Sequence, residues 1–82
     1  MTIIDAVTGN LCMWTVYDHP RDYPDFFVAR AFIIAREPIA LPRAFFAETL
    51  DELRMILNRV YPDLICFPRS PDDEPHIVES WL

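Results

Sequence analysis

FFVARAFIIAR, residues 26–36, decides the architecture, because alternation sorts its side chains into two unlike sets. Phe27, Ala29, Ala31, Ile33 and Ala35 share one face, which is small and apolar and leaves room for a helix to approach closely. Val28, Arg30, Phe32, Ile34 and Arg36 share the other, where guanidiniums stand among apolar groups as they do at an interface or on a half-covered sheet. The stretch therefore predicts a strand over 26–36 with unequal faces.

Upstream, LCMWTVYD (11–18) is rich in aromatic and β-branched residues. Met13, Thr15 and Tyr17 alternate with Trp14 and Val16, so both faces are apolar and the strand suits the middle of a sheet. Downstream, EPIALP (37–42) reads as a loop bracketed by prolines, which cannot donate to a ladder, and RAFFAE (43–48) as a short strand. TLDE then places Thr49 and Glu52 as a capping box. Leu50, Leu53, Ile56, Leu57 and Val60 follow at helical spacing, with Asp51 and Arg54 one turn apart on the outer face. This predicts a helix over 49–60 that stops before Pro62, whose ring biases Tyr61 away from helical angles.

LICFPR (64–69) and HIVESWL (76–82) predict strands over 64–68 and 76–81. Between them SPDDEP reads as a small capped turn, in which Ser70 can serve as N-cap, Pro71 fits a first helical position and Asp72 and Asp73 favour the positive end of a helical dipole. The order β-β-β-α-β-β predicts an α+β domain over 11–82, a small and mainly antiparallel sheet with one helix packed on one face. Residues 1–10 read as an N-terminal extension, flexibility being one expectation for it. One helix cannot cover both faces. The open face calls for closure by TIIDAV (2–7), by a second copy of the chain or by another protein.

Bulk properties narrow the function classes. At 82 residues there is room for one modest core, and a 52% apolar content is far above that of disordered chains despite a net charge of −6. A pI near 4.6 leaves no basic surface for displacing counterions from nucleic acid, so nucleic acid is not an expected partner. All seven basic residues are arginine, as in the proteins of GC-rich genomes, and arginine's planar fork also suits carboxylate or phosphate. The N-terminus has an early aspartate, no positive n-region and no long apolar run, which predicts neither a signal peptide nor a membrane span and so a cytoplasmic protein. Cys12 and Cys66 lack metal or redox spacing and are expected as buried thiols in a reducing compartment.

Three stretches carry a resemblance: WTVYDHPRDYPDFFVARAF (14–32), TLDELRMIL (49–57) and PRSPDDEPHIVESW (68–81). Together they resemble a family of short bacterial proteins, some of them expected to be phage-borne, classed as a domain of unknown function. The likeness spans nearly everything after residue 11. It implies no activity, cofactor or partner.

Chemistry-bearing residues are few. Asp18, His19, Asp22 and Asp25 supply oxygen and nitrogen ligands at spacings of one and three, which a curled loop could gather around a divalent cation, with a hydrolytic role as the corresponding expectation. The same loop also reads as a connector in which Asp18 and Asp22 close turns and Arg21 or Arg30 pairs with carboxylates. His19 and His76 are the available bases for Ser70, Ser80, Cys12 or Cys66, without a recognised spacing. The only glycine is Gly9, so no glycine-rich phosphate loop exists, and no cofactor is implied. The reading that follows is a small non-enzymatic protein that binds a protein partner or forms a homodimer through Val28, Arg30, Phe32, Ile34 and Arg36, with Trp14 beside them. The alternative is the divalent-metal site.

Overall fold

Strand β1 (Cys12–Asp18) pairs antiparallel with β2 (Phe27–Ile33) along its full length, from Cys12 opposite Ile33 to Asp18 opposite Phe27. The structure, a computed structural model, describes residues 12–34, 36–37 and 39–82. The N-terminal extension expected over 1–10, the closing role of TIIDAV, and Leu11 and Ala35 of the expected strands lie outside the described residues. β2 continues into β3 (Ile39–Ala47), the helix α1 (Leu50–Val60) follows, and β4 (Cys66–Pro68) and β5 (Ile77–Trp81) complete the chain. The strands form one antiparallel sheet in the order β3-β2-β1-β5-β4, which is an α+β architecture.

β1 is central, as its two apolar faces predict. Its even positions, Trp14 and Val16, lie in one core cluster with Ala29 and Ala31 of β2, Ala47 of β3, Leu53 and Leu57 of α1, Leu64 and Trp81. Leu53 and Leu57 are fully buried, one turn apart on α1. Alanines opposite them let the helix come close, since no long side chain stands in the way. Thr49 caps α1, its hydroxyl accepting from the Glu52 amide at 3.2 Å. At the other end the Tyr61 amide donates to the Leu57 carbonyl at 2.8 Å, and the ring of Tyr61 packs 5.6 Å from that of Trp14.

Several expectations are corrected. β2 stops at Ile33 and does not reach residue 36, so Ile34 and Arg36 lie beyond the strand. β3 begins at Ile39 and not at 43, and Pro42 lies inside it rather than ending a loop. The reason is position: β3 is an edge strand, and its pairing with β2 slips between Arg30 opposite Ala44 and Phe32 opposite Ala40. A proline without an amide proton costs little at an irregularity on an edge. β4 is shorter than expected, beginning at Cys66; Leu64 is buried before it, and Ile65 exchanges backbone hydrogen bonds with Leu82 at 3.0 Å each.

SPDDEP forms a small turn as expected, with the Ser70 hydroxyl at its start accepting from the Asp72 amide at 3.4 Å. The Ser70 amide donates to the Asp73 carboxylate at 2.8 Å and the Asp73 amide returns to the Ser70 carbonyl at 3.0 Å, so the backbone groups are satisfied before a helix can propagate. In β5 a second irregularity sets Val16 opposite Glu79 but Tyr17 opposite Ile77, leaving Val78 as the extra residue. Such a bulge re-aims side chains, and here both Val78 and Glu79 turn to the core.

Leu57→Ala removes a fully buried side chain at the centre of this cluster and is expected to cost about 2–5 kcal/mol, against about 1 kcal/mol for Thr49→Ala at the cap. Urea unfolding midpoints check both. A Leu57→Ala shift no larger than that of Thr49→Ala would remove α1 from the core.

Candidate functional site

The two faces of the sheet hold different chemistry. On the core side, register places Phe45, Ala29, Val16 and Glu79 in one row and Ala31, Trp14, Trp81 and Cys66 in the next. On the opposite side the rows read Phe46, Val28, Tyr17 and Ile77, then Ala44, Arg30, Thr15, Ser80 and Phe67, then Ala40, Phe32 and Met13.

Glu79 is a carboxylate in the core row, 3% exposed. Arg54 of α1 reaches it with Nε at 3.2 Å to each oxygen and with Nη2 at 2.6 Å to Oε1, and the Trp81 indole donates to Oε2 at 2.8 Å. Burial pushes the Glu79 carboxyl up, yet the donors from Arg54 and Trp81 more than offset it and hold the group below the usual glutamate value. The hydrogen bond to Glu79 likewise keeps Arg54 firmly protonated. Arg54 turns to Glu79 as its close partner while keeping Asp51, one turn away as its spacing predicts, within ion-pair reach at 3.9 Å. The fork is a tie between α1 and β5. Sequence reading passed over it, although a glutamate two residues before Trp81 in an apolar strand was a signal that a partner had to exist.

Cys66 corrects another expectation: it lies in an exposed strand and is not a buried thiol, whereas Cys12 is buried. The Cys66 thiol nevertheless turns toward Glu79. Although the residue is exposed, its sulfur is partly shielded on the side facing Glu79, and that partial desolvation, reinforced by the Glu79 charge and hydrogen bond, pushes the thiol up to about 11. A thiol held that high is a poor nucleophile at neutral pH.

On the opposite face the loop between β1 and β2 folds back over the sheet. His19 adopts φ 47°, in the left-handed region where histidine is more tolerated than most residues. This reversal lets its amide donate to the Phe26 carbonyl at 3.1 Å and sets its ring edge-on to Phe27 at 4.9 Å. Pro20 is buried beneath the loop. Asp22 pairs with Arg30, whose guanidinium lies 5.2 Å from the Tyr17 ring centre and 5.9 Å from that of Tyr23. Tyr23 meets Phe46 edge-on at 4.7 Å and Phe26 meets the same ring at 6.2 Å. Tyr23, Phe26 and Phe46 stay 43%, 37% and 41% exposed. Burial raises the Tyr17 hydroxyl, Arg30 opposes the rise, and the carboxylates of Glu74, Asp22 and Asp73 add to it.

The expected site residues are placed unevenly. Arg30 and Phe32 do share the face opposite the core row, half-buried. Val28 is on the same face but fully buried, Ile34 and Arg36 are exposed past the strand end, and Trp14 sits on the core side at 2% exposure, stacked 5.0 Å from Phe45. Trp14 therefore lies away from the face of Arg30 and Phe32, where Tyr23, Phe26 and Phe46 form an exposed ring cluster. Of the metal candidates, His19 turns to Asp18 and Asp22 to Arg30. Among the described residues no group of three or more His, Cys, Asp or Glu side chains is placed to share a metal ion. His76 lies by the Asp18 carbonyl at 3.2 Å and 3.9 Å from Glu74, and Ser70 accepts from the Asp72 amide at 3.4 Å, so neither forms a nucleophile–base pair with the other.

Because the folded carboxyl of Glu79 sits below its ordinary 4.5, the unfolded chain takes up this proton first as pH falls. The tie's contribution is full above that value and is lost as pH drops through the folded value. Glu79→Gln is expected to flatten the acid limb of stability below pH 4.5, read from melting temperature against pH. Arg54→Met, which strands a buried charge, is expected to cost about 2–3 kcal/mol, at the low end for a buried pair because Arg54 is 43% exposed. An unaltered acid limb in Glu79→Gln would rule the linkage out.

Cys66 should alkylate about tenfold more slowly than free cysteine at pH 8, the scarcity of thiolate being partly offset by its greater basicity, and faster in Glu79→Gln. A rate near that of free cysteine, followed with iodoacetamide and mass spectrometry, would contradict the thiol's placement. No helix among the described residues is long and apolar enough to cross a membrane. Comparison with protein-family models, with curated proteins and with solved structures finds no match for the chain.

Proposed function

We propose that this chain is a small non-enzymatic interaction module that holds a protein partner, or a second copy of itself, through the sheet face opposite α1. On this reading the helix covers one face alone and the other is the working surface. The observation that carries it is the exposed ring cluster of Tyr23, Phe26 and Phe46, with Arg30 held between Tyr17 and Tyr23. Aromatic residues and arginine are the types that dominate binding energy at interfaces, and rings left over a third exposed have apolar surface to bury. Rigidity supports the same reading: the rings are braced by one another and by the Arg30–Asp22 pair, so little side-chain freedom remains to be lost on binding.

The sheet edges are poor alternatives. β3 carries Pro42 and a register slip, and β4 has three residues and ends in Pro68. Short edges and prolines discourage strand addition. A reducing, cytoplasmic setting agrees with cysteines 12 and 66 forming no disulfide. The metal alternative gains no support from the placement of Asp18, His19, Asp22 and Asp25.

Tyr23→Ser/Phe46→Ser removes two exposed rings and is expected to abolish capture of a partner from a lysate of the source cells, or self-association in sedimentation, while the far-ultraviolet circular dichroism stays native. Capture and assembly both unchanged in the folded double variant would end the proposal.

A further inference from the structure

The ring cluster is bordered by acid. The register that sets Tyr17 opposite Ile77, and the Asp18 amide donating to the His76 carbonyl at 2.7 Å, bring the 70–74 turn beside the loop that follows β1. Residues 18–30 and 69–74 together hold six carboxylates, Asp18, Asp22, Asp25, Asp72, Asp73 and Glu74, against the arginines 21, 30 and 69. Of these arginines, Arg30 is engaged by Asp22, and Arg69 donates to the Asp73 carbonyl at 2.8 Å. Asp18, Asp22 and Glu74 remain 55%, 56% and 51% exposed, so the border keeps its charge in water.

Resting on the interaction reading above, we infer that the occupant of this face is a cationic protein segment bearing arginine or lysine next to apolar side chains, and not a second copy of the chain. Two arguments select it. First, the chain already shows the chemistry the surface favours: a guanidinium, that of Arg30, lies over two tyrosine rings and is closed by a carboxylate. A partner's arginine would find further rings in Tyr23, Phe26 and Phe46 and further carboxylates in Asp25 and Glu74. Second, an isologous dimer sets the patch against its own copy, so two surfaces of the same net negative sign, each with six carboxylates against three arginines, would meet. Like charges brought together at an interface are a strong penalty, whereas an opposite charge is steered in.

The test is fluorescence anisotropy with a labelled octapeptide alternating arginine and phenylalanine, beside its glutamate–phenylalanine counterpart, with sedimentation velocity of the protein alone from low to high concentration. The arginine peptide is expected to bind and the glutamate peptide not to. Affinity should fall about tenfold or more between low and high salt, about fivefold in Asp25→Asn/Glu74→Gln, and beyond detection in Tyr23→Ser/Phe46→Ser. Equal binding of both peptides, or binding that survives Tyr23→Ser/Phe46→Ser, overturns the inference. Self-association that Tyr23→Ser/Phe46→Ser removes, with no binding of the arginine peptide, overturns the cationic occupant and leaves the interaction face standing. Neither peptide binding nor self-association would take down both. Circular dichroism of each variant separates loss of binding from loss of fold.

Discussion

A carboxylate buried in a small core is tolerated only when its charge is answered by donors, and Glu79 is answered from two directions. Arg54 reaches it from α1 and the Trp81 indole from its own strand. This pair fixes where the helix lies over the sheet. Hydrophobic contacts of Leu53 and Leu57 pull α1 onto the alanines of β2, but apolar packing tolerates sliding, whereas a forked hydrogen bond does not. The bulge at Val78 belongs to the same arrangement, since it turns Glu79 toward α1 while leaving Ile77 to pair with Tyr17. Cys66 is drawn into the network as well, its thiol raised first by desolvation and then by the Glu79 carboxylate it neighbours.

The other face is organised by a second ion pair. The Asp22–Arg30 pair ties the loop after β1 to the sheet face that carries Tyr17 and Arg30. The opening expectation allowed an N-terminal segment, a second copy or a partner as cover; the loop is a fourth solution, and it is partial. Aspartates that read as metal ligands in one dimension are spent on this folding, one on a histidine and one on an arginine. The rings above them remain open to solvent, and that residue of exposed aromatic surface supports the interaction reading more than any chemical group in the chain.

Much of the fold was legible. Alternation in FFVARAFIIAR and LCMWTVYD, the capping box at Thr49 and the helical spacing of the leucines each report a local constraint, and each produced its element within a few residues. The misses came where neighbours outweighed local preference. Pro42 argued for a loop, but an irregular edge strand does not need its amide. Arg54 has Asp51 within ion-pair reach as helical spacing predicts, but its close partner is Glu79, which is twenty-five residues away in sequence.

Periodicity and capping thus established the elements, their order and the small, apolar face on which Ala29 and Ala31 lie, because those signals are written in residues a few places apart. Which arginine meets which carboxylate, which face Trp14 belongs to, and that a proline-rich loop lies over Arg30 were decided by tertiary structure. Long side chains choose their partners by distance in space, and strand order together with a single-residue bulge sets those distances.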